Sequence, residues 1–86
     1  MGSQNVPARV TQCTVEQITS SIPEGDPSKV TPSAQLVEDL MFDNLDLVEL
    51  RGLLETEFGI QIDDAAMRSV VTVGDWITYC QANGVT

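Results

Sequence analysis

The chain has 86 residues, of which 13 are Asp or Glu, four are Lys or Arg and none is His, so its formal net charge is −9. This length suits one small domain with a modest core. A composition with 42% apolar and 20% charged residues is typical of a folded globule rather than a disordered chain. The negative charge repels phosphates and argues against nucleic-acid binding. The absence of His removes the commonest general base and metal ligand, so we expect neither an enzyme nor a metal site.

The two cysteines, Cys13 and Cys80, lack the close spacing of a zinc or redox motif. One alternative is a disulfide between them. We favour two buried thiols in a reduced, cytoplasmic protein. No apolar run approaches the roughly 20 residues that a membrane-spanning helix needs, so we expect no membrane span.

The first helix is predicted from a capping box, in which Thr14 is followed three positions later by Gln17. Its apolar face consists of Val15, Ile18 and Ile22, with Val10 added if the helix begins earlier. Pro23 ends it. Residues 1–9 show no pattern, and we expect them to form a disordered N-terminal segment.

A long connection follows, rich in the turn formers Pro, Gly, Asp and Ser between residues 23 and 32. A structureless loop of this length is unusual in a compact domain. We therefore expect a short ordered piece in it, with Leu36, Val37 and Leu40 packed against the core.

The second helix has the clearest pattern in the chain. Its apolar stripe is Leu47, Leu50, Leu54 and Phe58, at helical steps of three and four. Either Asp43 or Asn44 caps its start, since both side chains accept hydrogen bonds from free backbone N–H groups. Gly59 ends it.

Two further helices are predicted after Gly59. Ile60 and Ile62 lie in an extended linker, and Asp63 or Asp64 caps a short third helix over 65–70. Thr72 caps a fourth helix, whose apolar face is Val73, Trp76, Ile77 and Cys80. The fold class is therefore all-α, a small four-helix bundle with a short third helix and a long loop between the first two helices. We expect the domain to span 10–82 and a C-terminal tail to occupy 83–86.

Several segments together resemble the acyl carrier proteins and related phosphopantetheine carrier domains. These segments are Leu-Val-Glu-Asp-Leu at 36–40, Asp-x-Leu-Asp-x-Val-Glu-Leu at 43–50, Leu-Glu-Thr-Glu-Phe-Gly-Ile at 54–60 and Thr-Val-Gly-Asp at 72–75. The resemblance implies a four-helix bundle that carries acyl chains as thioesters on a 4'-phosphopantetheine arm in fatty-acid, polyketide or related biosynthesis. It also implies partners with basic surfaces, namely acyl-transfer or synthase enzymes and a phosphopantetheinyl transferase.

The main departure from the family is at the attachment position, where the family has Ser in an Asp-Ser-Leu motif and this chain has Asn44. Attachment requires a hydroxyl that attacks phosphorus, and an amide nitrogen is a poor nucleophile. We therefore expect the chain to be unmodified, with Asn44 serving as a helix cap. Asn44 is either the natural residue of a degenerate carrier or a replacement of Ser. A second departure is Met41, where the family usually has Gly.

The resemblance also implies a docking surface along the second helix. The residues that it assigns to partner docking are Asp43, Leu45, Asp46, Leu47, Val48, Glu49, Glu55 and Glu57. The alternative for the acids is a solvated helix face without a partner. Two functions therefore remain: a carrier domain whose working form has Ser at 44, and a non-carrying protein-interaction module. In both we expect a monomer.

Overall fold

The computed structural model describes residues 5–83, and in this part of the chain it is all-helical with no strands. The four helices are α1 (Val6–Ser21), α2 (Asn44–Phe58), α3 (Asp64–Ser69) and α4 (Val73–Asn83). A short 3₁₀ turn, Pro27–Lys29, lies in the loop between α1 and α2. The predicted fold class, including the short third helix and the long first loop, is confirmed.

Helix α1 begins at Val6, eight residues before Thr14. The prediction that Thr14 and Gln17 form the capping box of this helix is therefore wrong. Asn5 caps the helix by accepting a hydrogen bond from the backbone N–H of Ala8, and a proline in the first turn needs no hydrogen-bond partner there. Thr14 lies in the middle of the helix, fully buried, and its hydroxyl donates to the carbonyl of Val10. Residues 6–9, which we expected to be disordered, are therefore helical. Residues 1–4 lie outside the described part.

The core lies where α1 packs against both α2 and α4. Its largest fully buried side chain is Trp76, with Leu50 and Leu54 from α2 and Val10 and Ile18 from α1 also almost inaccessible. Ile62 and Ile77 are buried as well, whereas Phe58 is only partly buried against the cluster. The apolar stripe of α2 is thus confirmed at its centre, and its two ends, Leu47 and Phe58, lie at the margin of the core.

The long loop is fixed to the beginning of α4. The backbone N–H of Leu36 donates to the carbonyl of Val71, and that of Val73 donates to Ala34. The N–H of Gly74 reaches the carbonyl of Pro32 at 2.8 Å, so closely that an added Cβ would lie 2.8 Å from the same oxygen. These contacts bury Leu36 and Leu40 as predicted. The prediction for Val37 is wrong, since it is 55% exposed.

Cys13 and Cys80 are buried in α1 and α4, as the sequence predicts, and both are free thiols. Burial raises the pKa of each thiol to about 11, and the carboxylates of Glu57 and Glu16 add to the effect at Cys13. Both therefore act as small apolar core residues.

None of the helices within residues 5–83 is long and apolar enough to cross a bilayer.

Candidate functional site at the start of helix α2

The start of α2 is held by a capping box formed by two aspartates. Asp43 accepts a hydrogen bond from the backbone N–H of Asp46 at 2.9 Å, and Asp46 accepts one from the N–H of Asp43 at 3.1 Å. The N–H donors hold the pKa of the Asp43 carboxyl below its usual range, with the bond from Asp46 as the main cause. Asp43 is therefore the N-cap. Asn44 is the first helical residue, so the interpretation of Asn44 as a helix cap is wrong.

Asp46 is buried, with only 7% of its surface exposed. The prediction that it is an exposed acid of the docking surface is therefore wrong. The side-chain amide of Gln17 donates to Asp46 at 3.0 Å and to Glu49 at 2.7 Å. One α1 side chain thus donates hydrogen bonds to two acids of α2 and joins α1 to the first turns of α2. Asp46 positions the turn that carries Asn44.

The Asn44 side chain is exposed at the edge of a cleft between α2 and α3. The cleft measures about 540 Å³ and is lined by Val37, Asn44, Leu47, Val48, Asp64, Met67, Arg68 and Val70. Most of this lining is apolar, so the open position beside Asn44 adjoins a surface that favours hydrocarbon over water. The sequence identified Leu47 and Val48, whereas Met67 and Val70 come from segments without a recognisable site motif.

The apolar part of the expected docking surface is exposed. Leu45 is 62% and Val48 42% exposed, while Leu47 is half-buried. Met41 and Val71 are also exposed large apolar side chains and were not among the predicted docking residues. Helical periodicity gave no signal for these two, because both lie outside the helices, and Met41 was noted only as a departure from the family pattern.

The remaining predicted docking acids differ in how strongly the fold engages them. Glu55 accepts a hydrogen bond from the backbone N–H of Ile62, and Glu57 pairs with the Arg9 side chain at 2.8 Å. Glu49 is exposed, although Gln17 and Ser21 donate to it. At the α3 end, Arg51 pairs with Asp64 and holds the pKa of that carboxyl below its usual value.

Comparisons with known proteins agree with this geometry. A family model described as a phosphopantetheine attachment site matches residues 9–80. The acyl carrier protein of Thermotoga maritima is 46% identical over 56 residues, which cover 65% of this chain and 69% of that protein. The acyl carrier protein of Helicobacter pylori is 45% identical over 58 residues, which cover 67% of this chain and 74% of that protein.

A four-helix fold with a long first loop and an attachment position at the start of its second helix defines the class of phosphopantetheine carrier domains. This chain belongs to that class, as a domain of the acyl carrier protein family. Members of the family are carriers rather than enzymes, and their cofactor is 4'-phosphopantetheine. They interact with synthase and acyl-transfer enzymes.

The residues of this chain do not fit covalent attachment at the family position. Asn44 points an amide, not a hydroxyl, from the exposed first turn of α2. The amide lone pair is delocalised into its carbonyl, so it does not become a nucleophile by losing a proton to a base. The fold around the position is complete, but the reacting atom is absent.

Proposed function

We propose that this chain is a member of the acyl carrier family that docks on partner enzymes without carrying a phosphopantetheine arm. The observation that supports the proposal best is Asn44 in the first turn of α2, exposed and without a hydroxyl, next to an intact Asp43–Asp46 capping box. The turn that presents the attachment position is preserved, and only the nucleophile is missing.

The docking surface that we propose consists of the exposed residues around Asn44 and along α2. Leu45 and Val48 provide its apolar part, and Asp43, Glu49 and Glu57 provide negative charge at its edges. An apolar centre with an acidic rim suits an enzyme surface on which aliphatic side chains are surrounded by Lys and Arg. Synthase or acyl-transfer enzymes of fatty-acid, polyketide or related biosynthesis are the partners we propose, with the chain acting as a cytoplasmic monomer.

A second candidate function is a carrier whose working form has Ser at position 44. It is favoured by Asp43, Leu45 and Val48, which keep the context of the family motif, and by the open cleft beside the position. In this case the chain lacks its arm only because the hydroxyl has been replaced.

Intact-mass spectrometry after incubation with coenzyme A and a broad-specificity phosphopantetheinyl transferase tests both functions. We expect the chain itself to keep its mass and Asn44→Ser to gain one phosphopantetheine. Asn44→Ala is the matched control, since it also changes the first turn but offers no hydroxyl. The fold should hold in both variants, because Asp43 rather than residue 44 caps α2.

The results show where an arm can attach and whether the transferase still recognises this chain. Modification of the unchanged chain would contradict the absence of an arm and place the attachment elsewhere. Modification of Asn44→Ser alone would show that the transferase still recognises the surface. If Asn44→Ser fails but Met41→Gly/Asn44→Ser succeeds, the Met41 loop blocks recognition. Failure of both would leave docking as the retained role.

A further inference from the structure

A second cleft lies on the other side of α2 from Asn44, between α1 and α2. It measures about 730 Å³, and the residues that form it extend along α1 from Gln12 to Ser21. At about 1.5 Å per residue this is a length of roughly 14 Å. On the α2 side the cleft is lined by Glu49 and Leu53. Leu53 is not among the predicted docking residues, and the cleft shares only Glu49 with them.

The floor of the cleft is apolar. Val15 of α1 and Leu53 of α2 are both half-buried, with the exposed Thr19 beside them. Two antiparallel helical walls with aliphatic side chains between them form the kind of groove into which the apolar row of a third helix packs.

The rim of the cleft is acidic. Glu16 stands on the α1 side and Glu49 on the α2 side, and among the described residues that line the cleft none is Lys or Arg. The Glu49 carboxylate is held in place by the Gln17 amide at 2.7 Å and the Ser21 hydroxyl at 3.4 Å. One rim charge is therefore already oriented, which lowers the entropy cost of pairing it with a partner's cation.

We propose that this cleft binds a basic amphipathic helix of a partner protein. One row of aliphatic side chains at helical spacing would cover Val15 and Leu53, while flanking Lys or Arg side chains would pair with Glu16 and Glu49. A second copy of this chain is opposed by charge, since each carries a net −9. The site is separate from the Asn44 end of α2 and does not depend on whether that end carries an arm.

The probe is a synthetic 18-residue helical peptide with Leu at alternating steps of three and four and Lys on both flanks, titrated into ¹⁵N-labelled protein. We expect saturable one-to-one binding, with amide shift changes centred on Val15, Thr19 and Leu53. Thr19→Trp fills the cleft from an exposed position and should weaken binding at least tenfold. The same change at the exposed Thr78 of α4 is the matched control and should leave the affinity unchanged.

Charge reversal separates docking in the cleft from general attraction to an acidic protein. Glu16→Lys and Glu38→Lys change the net charge equally, but Glu38 lies in the α1–α2 loop and does not line this cleft. We expect Glu16→Lys to weaken the affinity at least threefold more than Glu38→Lys. Equal losses, shift changes centred on Val37 and Val48, or no saturable binding would each overturn the proposal. None of these outcomes bears on the Asn44→Ser mass experiment, so the two proposals fail separately.

Discussion

Met41, three residues before the attachment position, has a backbone φ of 68° and is the non-glycine residue with positive φ in the described part of the chain. A Cβ in this left-handed region approaches the following carbonyl and costs roughly 1–2 kcal/mol. The family usually has Gly here, which has no such penalty. The side chain is 49% exposed, so the core gains little from it in return.

Met41→Gly should therefore raise the free energy of unfolding by about 0.5–1 kcal/mol, because the relieved strain exceeds the extra entropy of Gly in the unfolded chain. Urea denaturation followed by circular dichroism measures this as a higher midpoint with an unchanged slope. Met41→Ala keeps the Cβ and should show little gain. An equal gain from both variants would mean that the Met side chain, not the backbone conformation, is unfavourable.

At the scale of the helix, Gly52 inside α2 and Gly59 at its C-cap make a matched pair. A Cβ added to Gly52 or to Gly59 would meet nothing within 4 Å, but Gly59 has φ +67° and Gly52 has no positive φ. Gly52 lies in the exposed interior of α2, and Gly59 is the left-handed residue that ends it. Free space is the same at the two positions, so only the backbone conformation distinguishes them.

Gly52→Ala should stabilise the protein by up to about 1 kcal/mol, since Ala is the better helix former. Gly59→Ala should destabilise it by roughly 1 kcal/mol, because Ala enters the left-handed region with strain. Thermal melting of both variants beside the parent chain gives the two signs in one experiment. Destabilisation by Gly52→Ala would mean that the exposed side of α2 has a packing constraint that the structure of the single chain does not reveal.

Helix α4 begins with a capping box that titrates. The Thr72 hydroxyl accepts from the N–H of Asp75, and the Asp75 carboxylate accepts from the N–H groups of Thr72 and Val71. The hydrogen bond from the backbone N–H of Thr72 is the main reason why the pKa of Asp75 lies below its usual value. A lowered folded-state pKa contributes stability above the unfolded value of about 4, and this is lost as the pH falls through the folded value.

Asp75→Asn should therefore be less stable than the parent chain at neutral pH, and the difference should shrink as the pH falls from about 5 to about 2. Denaturation midpoints at several pH values measure this convergence. Glu38→Gln also removes one negative charge, from an exposed residue, and serves as the control for net charge. A difference that stays constant over the whole range would show that the charge of Asp75 does not stabilise α4.

The sequence was most informative where an element is defined by its own residues. The centre of the α2 stripe, the Thr72 cap of α4 and the stop at Gly59 are local patterns, and all three were confirmed. The start of α1 was misjudged because Thr14 and Gln17 have capping-box spacing, yet both are buried within the helix. The partner of Gln17, Asp46, lies 29 residues away, and no local pattern reports such a pairing.

In the candidate site, too, the features set by neighbouring residues were predicted, and those that depend on distant segments were not. Position 44 was identified from contiguous residues and lies at the start of α2, although as the first helical residue rather than the cap. Asp46 was misplaced because its burial depends on α1. The apolar cleft beside Asn44 was also missed, since its walls come from the loop, α2 and α3 together. Periodicity identifies the buried face of a helix, but not which neighbour completes a surface.

At the scale of the whole molecule, the acids are compensated more than their sequence spacing indicates. Nine of the 13 acids lie between Glu38 and Asp64, with Arg51 as the only base in that stretch. The fold brings a second base to it, since Arg9 of α1 pairs with Glu57 and its guanidinium lies 4.6 Å from the centre of the Phe58 ring. This contact joins the beginning of α1 to the end of α2 and covers the partly buried Phe58.

The net charge of −9 still leaves more repulsion than these pairs offset. Added salt should therefore raise the melting temperature, because screening weakens the repulsion among many exposed acids more than it weakens a few close pairs. The test is a melting series from about 10 mM, where charges interact over roughly 30 Å, to about 1 M, where the range is roughly 3 Å.

The double variant Glu16→Gln/Glu38→Gln removes two negative charges from exposed positions and should show a smaller rise. Arg9→Gln removes a compensating cation and should show a larger one. A flat or falling curve for the parent chain would mean that the ion pairs and hydrogen bonds around Glu57, Asp64 and Asp46 already balance the acidic face.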